Sequence, residues 1–452
     1  MQKSVVFVLI ILVFVLIWFA LLYTAIFELP INGKQETLRK VKTFNLVLNN
    51  NIIKKTFKEG SEETTDNQLK DSQLNAIVSP QINAARKYKH RDLILKQPPL
   101  SPNRYKLTRA VYPPPPIEEI ERNMTIYLQA LHSKFSVMTG PKVDALEVWE
   151  TYLDLTKSMV MKWDDENYHR IPRPRKDGSI FVSLGTYRDP FCPMTIKSLY
   201  SMAKDPEKLF VGMFQQNCFG PVCRTGVLVG GKVEDTGPDL DCYVEFCNSE
   251  EGISSNACKN GNVHLFNVNE TESLGPYMAR YLGSKFYRGE QYYLQIDSHS
   301  DFVQDWDAKL VQMVRDAPAE KPVISTYPPD STMKWRDTVG YRLCDSEFAA
   351  AQIEWQIIRL GTSLPFDKSI PAVPKYAPFI AAGFFFCSAD FLHEVPFDPF
   401  LPWIFMGEEI SMSARLWTSG YDIFSPTSNV LNHYYVRRHY PKFWETINRY
   451  CK

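Results

Sequence analysis

Histidine is scarce in this chain. Only eight occur in 452 residues, and none are spaced as His-x-His, so a site holding two metal ions has little to draw on. Net charge is missing too. The 51 Lys and Arg balance the 51 Asp and Glu, which excludes a protein that is basic throughout and coats nucleic acid. The nine cysteines never adopt the Cys-x2-Cys spacing typical of structural zinc. No internal repeat is visible, so solenoids and propellers are excluded as well.

What is present begins with one long apolar run. From Val5 to Phe27 there are 23 residues without a charge, preceded only by Met-Gln-Lys-Ser. At the helical rise this run spans the roughly 30 Å of a bilayer core. It is longer than a signal-peptide core and lacks a small-x-small cleavage site, so an uncleaved signal anchor is expected. Residues 1–4 form a cytosolic tail in this reading, and the rest lies in the lumen as a single-pass type II protein. Lys34, Arg39, Lys40 and Lys42 on the far flank pull against the positive-inside rule.

The zero balance hides an asymmetry. Residues 28–112 hold sixteen basic and eight acidic side chains, whereas residues 113–452 are acidic by nine. The basic stretch is diluted with Asn, Gln, Ser and Thr, has no aromatic interleaving, and ends in "QPPLSPNR" and "YPPPPIEE". A solvated stem over 28–116 fits this composition better than a nucleic-acid arm. A helical lead-in follows over 117–177, with Leu146, Trp149, Tyr152 or Leu153, and Met159 or Val160 on one face. Six cysteines crowd between Cys192 and Cys258, where a lumenal compartment would let some pair. Zinc between Cys218 and Cys223 or Cys242 and Cys247 is the weaker alternative. Asn123-Met-Thr and Asn269-Glu-Thr are glycosylation sequons if the topology holds.

From residue 178 onward short apolar runs alternate with amphipathic stretches. The runs are "IFVSLG", "LFVGMF", "VHLFNV", "YYLQID", "PVISTY" and "FIAAGFFF". "DFVQDWDAKLVQMV" reads as a helix with Phe302, Trp306, Leu310 and Met313 inward. Alternation of this kind predicts an α/β domain over 178–452 with a mostly parallel sheet flanked by helices. In such sheets ligands bind beyond the carboxyl ends of the strands. "YYLQIDSHSDF" ends a buried-looking strand there on Asp297, Ser298 and His299.

Residues two apart in an extended segment project to one side, so Asp297 and His299 are able to face one ion. A mixed oxygen and nitrogen site suits Mn²⁺ or another divalent cation. The competing reading makes Asp297 the cap of a helix starting near Asp301 and His299 a turn residue. "SLGTYRDPF" closes the first strand with Thr186, Tyr187, Arg188 and Asp189, where a base has a ring to stack on and polar groups to read its edge. Arg280 is an always-charged fork suited to phosphate, or else a surface ion pair. Gly383 interrupts a bulky run where a ligand or backbone approaches closely. Glu408 and Glu409 start a helix and need no more than its dipole to explain them. Arg415 and Trp417 follow, the latter read as core. His433 ends the last apolar run, ahead of Arg437 and Arg438.

Together these segments resemble the polypeptide-modifying N-acetylglucosaminyltransferases of protists and microbes, which include a hydroxyproline modifier and initiators of mucin-type chains. The same logic recurs in animal polypeptide GalNAc-transferases, where Asp-Ser-His, a Gly-Glu element and a late histidine serve metal and sugar. The matching residues are Asp297-Ser298-His299, Gly407-Glu408 followed by Arg415 and Trp417, and His433. The resemblance covers about residues 180 to 444. It implies a GT-A nucleotide-diphospho-sugar transferase fold, Rossmann-like, with UDP-GlcNAc as donor and a protein or peptide hydroxyl as acceptor.

The implied metal ligands are Asp297, His299 and His433. Asp297, Glu408 and Arg280 are the implied catalytic set. The donor would meet Thr186, Tyr187, Arg188, Arg280, Asp297, Ser298, Gly383, Glu408 and Arg437. A Golgi or other secretory-pathway membrane would be its setting. Three readings compete: another UDP-sugar or a glycan acceptor, a metal-dependent phosphoesterase, and an inactive GT-A scaffold that only binds.

Overall fold

A computed structural model describes residues 114–138, 144–160, 171–224, 234–332, 340–348, 357–363, 370–436 and 440–447. The expected anchor at 5–27, nearly all of the stem, and Arg437 lie outside the described residues. Among the described residues no helix is long and apolar enough to cross a membrane.

Two helices come first. α1 (Ile117–Phe135) carries Glu118 and Glu119 in its first turn and Lys134 in its last, both matched to the helix dipole. Its buried residues Met124, Tyr127, Leu128, Leu131 and Phe135 recur every three or four positions. α2 (Ala145–Met159) is capped by Asp144, whose carboxylate accepts the Leu146 amide at 3.0 Å. Its inward face is Val148, Tyr152 and Thr156, and the Tyr152 hydroxyl donates to the Pro399 carbonyl at 2.5 Å. Leu146, expected on that face, is exposed because it lies about 120° round the helix from Tyr152. Met159, also expected inside, is the last helical residue and is exposed.

The alternating pattern then builds β1 (Ile180–Tyr187), α3 (Cys192–Ser201), β2 (Leu209–Asn217), the small pair β3 (Cys223–Arg224) and β4 (Asp235–Thr236), α4 (Cys242–Cys247), α5 (Glu250–Ser255) and β5 (Val263–Asn269). Next come α6 (Pro276–Gly283), β6 (Tyr292–Asp297), β7 (Ser300–Phe302), α7 (Trp306–Asp316) and β8 (Pro322–Ser325). β9 (Arg342–Phe348) and β10 (Ile358–Ser363) form a separate antiparallel pair. The chain finishes with β11 (Lys375–Tyr376), β12 (Phe384–Ser388), α8 (Phe391–Glu394), α9 (Glu408–Thr418), β13 (Asp422–Ser425), β14 (Leu431–His433) and α10 (Phe443–Ile447).

Eight strands make one sheet in the order β11-β13-β8-β12-β6-β1-β2-β5. Only β11 and β12 run against the other six. The sheet is therefore mixed but mostly parallel, as the alternation predicts. Both of its faces are covered, which is why its strands read as unbroken apolar runs. Phe181, Tyr293 and Phe385 pack with α1, α2, α6 and α9 on one face. Val182, Leu294, Ile296 and Phe386 pack with α3 and α7 on the other.

Two elements differ from expectation. The helix expected over 301–314 starts only at Trp306, because residues 300–302 form β7 and pair with β14. Asp297 is consequently not a helix cap. The run 379–386 becomes a strand only from Phe384. Before that, the amides of Ile380, Ala381 and Ala382 donate to Ser413, Ser325 and Glu409 side chains instead of a ladder. Three disulfides, Cys192–Cys242, Cys218–Cys223 and Cys247–Cys258, consume the crowded cysteines and overturn the zinc alternative.

Candidate active site

β6 reaches its carboxyl end between β1, which runs with it, and β12, which runs against it. Asp297 is its last residue. Its amide donates to the Gly383 carbonyl at 3.2 Å, and its carboxylate lies directly over that glycine. A Cβ at position 383 would sit 2.7 Å from Asp297 Oδ2, so the interruption in the bulky run exists to admit the aspartate.

His433 arrives from 136 residues away. β14 pairs with β7 so that His433 stands opposite Ser300, and its Nε2 comes 3.2 Å from Asp297 Oδ2. The His299 and His433 rings meet edge to face with centroids 4.4 Å apart. One ligand atom each from Asp297, His299 and His433 lies within 4.8 Å of the others. Both rings are buried. One partly exposed carboxylate and two buried imidazoles fit a divalent cation of the Mn²⁺ type.

Asp189 adjoins the cluster, in contact with His299 and not only at the nucleotide-facing end of β1 where the sequence places it. His299 Nδ1 lies 2.7 Å from Asp189 Oδ2, and the Ser298 hydroxyl donates to the same oxygen at 2.6 Å. The Thr195 hydroxyl on α3 donates to the Ser298 carbonyl and accepts the Ser300 amide, each at 2.9 Å. The bend 298–300 is thus held from two sides. With Nδ1 engaged by a carboxylate, Nε2 is the His299 nitrogen left for the cluster. The signal was in "TYRDPF", but its meaning depends on a partner 110 residues away.

Arg280 sits beneath. One arm of its guanidinium donates to Asp297 Oδ1 at 2.6 Å, and the other is hydrogen-bonded to Glu408 Oε2. Its donors are therefore occupied by carboxylates, which places it as a buried bridge rather than a surface ion pair. Glu408 is 1% exposed, and Glu409 is turned elsewhere, accepting the Tyr327 hydroxyl at 2.5 Å and the Ala382 amide at 3.0 Å. Gln295, which sequence reasoning missed, donates to the Ala382 carbonyl at 2.6 Å and approaches Glu408 Oε1 at 3.5 Å. α9 starts at Glu408 because Gly407, at φ 100°, turns the chain into it.

These neighbours set the protonation. Burial alone would raise Asp297, but Arg280, His433 and His299 outweigh it and hold the carboxyl well below its usual range. Glu408 goes the other way. Burial, with Glu409 and Asp297 adding to it, pushes it up to about 7 although Arg280 opposes. Burial raises Glu409 too.

Other expected residues are placed differently. Arg188 adopts φ 46° and gives its guanidinium to Asp239 at 2.7 and 3.2 Å and to the Arg224 carbonyl. It anchors the loop carrying β3 and β4, and is not aimed at the cluster. Ser298 faces Asp189. Thr186, at the end of β1, is buried with its hydroxyl unpartnered among the described residues, and Tyr187 beside it is half-buried. Trp417, expected inside, is 45% exposed. Arg415 joins the Tyr277 hydroxyl and the Pro396 carbonyl. Two Asp-x-Asp pairs serve structure instead of metal. Asp239 pairs with Arg188, Asp241 caps α4, and Asp307 accepts the amides of Lys204 and Asp205.

A family model described as Glycosyltransferase (GlcNAc) matches residues 179–452. No curated protein matches the chain. Among solved structures it is similar to GalNAc-T7 with UDP, GalNAc and Mn²⁺, at 15% identity and a TM-score of 0.38, over 57% of this chain and 44% of that one. It is also similar to S. aureus TarS 1–349 in complex with UDP-GlcNAc, at 12% identity and a TM-score of 0.34, over 57% and 58% respectively. The chain thus spans about half the length of those two structures.

Proposed function

The chain belongs to the GlcNAc glycosyltransferase family, and from that premise we propose that it transfers GlcNAc from UDP-GlcNAc to a protein hydroxyl. Threonine, serine or hydroxyproline is the acceptor, the α-configuration is retained, and the scaffold is of the GT-A type. The reading rests on one observation: Asp297, His299 and His433 converge at the carboxyl end of β6. These residues fit a divalent cation, because Gly383 leaves room for the carboxylate and Asp189 leaves His299 one nitrogen to give. A cation held there supplies Lewis-acid stabilisation of the charge that develops on the departing UDP.

The chain's own residues do the rest. Arg280, together with His433 and His299, holds the Asp297 carboxyl well below its usual range against the effect of burial. The same guanidinium orients Glu408, whose Oε1 meets nothing nearer than Gln295 at 3.5 Å among the described residues. That oxygen accepts a hydroxyl of the sugar and fixes the ring for attack. Thr186, with its unpartnered hydroxyl at the end of β1, and Tyr187 meet the nucleotide. The three disulfides support a lumenal setting, and the uncharged run 5–27 supports a type II anchor.

The test is transfer by the full-length protein from UDP-GlcNAc, UDP-GalNAc and UDP-Glc to a Thr/Pro-rich peptide library with Mn²⁺, read by mass spectrometry. GlcNAc-peptide should dominate, and Asp297→Ala and His433→Ala should lose it. Full transfer by both variants would sink the metal reading. UDP binding without transfer to any acceptor would select a binding scaffold instead.

A further inference from the structure

A cavity of about 490 Å³ opens where α1 and α2 pack against α6 and the turn after it. It shares no residue with the Asp297 cluster. Its walls are mainly apolar: Ile120, Met124 and Tyr127 of α1, Val160 after α2, Leu282 of α6, and Phe397. Two cations, Lys285 and Arg288, one acid, Glu119, and the sequon residue Asn123 also line it.

Neither cation has a hydrogen-bonded or ion-paired acid among the described residues, although the charges of Glu290 and Glu118 act on Arg288 through space. The Lys285 ammonium lies 4.3 Å from the centroid of the Tyr281 ring and makes no hydrogen bond or ion pair among the described residues. The Arg288 guanidinium makes none either, and its Nη2 is buried without a partner. Glu290 is engaged elsewhere: Oε2 accepts the Arg288 backbone amide at 2.8 Å and Oε1 faces Arg175 at 3.5 Å. Burial pushes Lys285 down to about 8, the behaviour of an amine that has given up water without gaining an anion. Both residues are half-buried, and a cation drawn that far from water ordinarily has a partner. An anion supplies one, and the apolar walls suit a ligand with an apolar chain attached to it. The volume lies in the range of small-molecule sites.

We propose that this cavity binds an amphipathic anion, a carboxylate or phosphate head on an apolar chain. Lys285 and Arg288 meet the head, and the chain lies against α1, Leu282 and Phe397. Tyr281 holds the lysine in place through its ring face.

The test titrates the full-length protein calorimetrically with octanoate, octyl phosphate, octanol and octylammonium. At least one anion should bind saturably, with octanol about tenfold weaker or worse, since a charge-assisted hydrogen bond contributes at least that factor. Octylammonium should not bind. Whichever anion binds tighter identifies the head group. Lys285→Met and Arg288→Gln should each weaken the anion about tenfold and leave octanol unchanged. The idea is overturned if octanol equals the anions, if neither anion saturates, or if both variants bind like the parent chain. Should a variant fail to fold, the four-ligand comparison on the parent protein still decides. Loss of transferase activity has no bearing on it, because the two sites share no residue.

Discussion

Two cations on neighbouring turns of one segment meet opposite fates. Arg280, inside α6, is buried against two carboxylates, Asp297 and Glu408. Lys285, just past the end of α6, is turned into an apolar cavity with only an aromatic ring for company. The first arrangement is closed: charge is balanced inside the protein, and the result is a carboxylate held well below its usual range beside two imidazoles. The second is open, and its balance has to come from outside. The comparison teaches that burial alone does not define a role for a charge. The partner does.

The comparison is most severely tested by removing the closed cation. Arg280→Met should cost about 3–5 kcal/mol in urea unfolding, because it strands two acids in the interior. If the cost is under about 1 kcal/mol, the bridge is not holding the site together. Asp297→Ala should lower transfer by about 10²–10³-fold, the scale of losing a stabiliser of developing charge, and should abolish Mn²⁺ binding read by titration. Asp189→Asn keeps the shape but weakens the hold on His299. Mn²⁺ affinity should fall by about 10–100-fold with the fold intact, and an unchanged affinity would reduce Asp189 to a turn residue.

A smaller effect follows from Glu408. Its folded carboxyl titrates near 7 against 4.5 in an unfolded chain, so the fold keeps a proton that the unfolded chain releases between those values. Its contribution to stability is full below about 4.5 and is lost as pH rises through about 7. Melting of the metal-free protein across that window should show the decline, and Glu408→Gln should flatten it. The smallest effect belongs to the open cation. Lys285→Met should leave stability unchanged or raise it by about 1 kcal/mol, since no partner is stranded. A large loss would show that the lysine has an internal partner after all.

Much of this was legible in the chain. Six apolar runs announced the sheet, because strands covered on both faces need apolar residues at every position. "YYLQID" located the edge where the site lies, and Asp297 with His299 was visible as a pair two residues apart. Gly383 was visible as an interruption, though not that Asp297 itself fills the gap. Arg188 was visible as a cation at the end of β1, but only the fold shows that Asp239 pairs with it. β7 and β14, three residues each, are too short to display any period, and so the helix over 301–314 was drawn too long.

The order of residues by itself determined the layered α/β class, the strand that ends in Asp-Ser-His, and the cysteine-rich segment that can pair. Each is written within a few consecutive positions, where period and spacing act directly on the backbone. Tertiary structure alone decided that His433 meets Asp297, that Asp189 steers His299, that Glu408 and not Glu409 shares Arg280, and that Lys285 has no anion. The contacts among them join residues 110 to 136 positions apart. No local pattern carries such a distance, since it is set by which strands lie side by side.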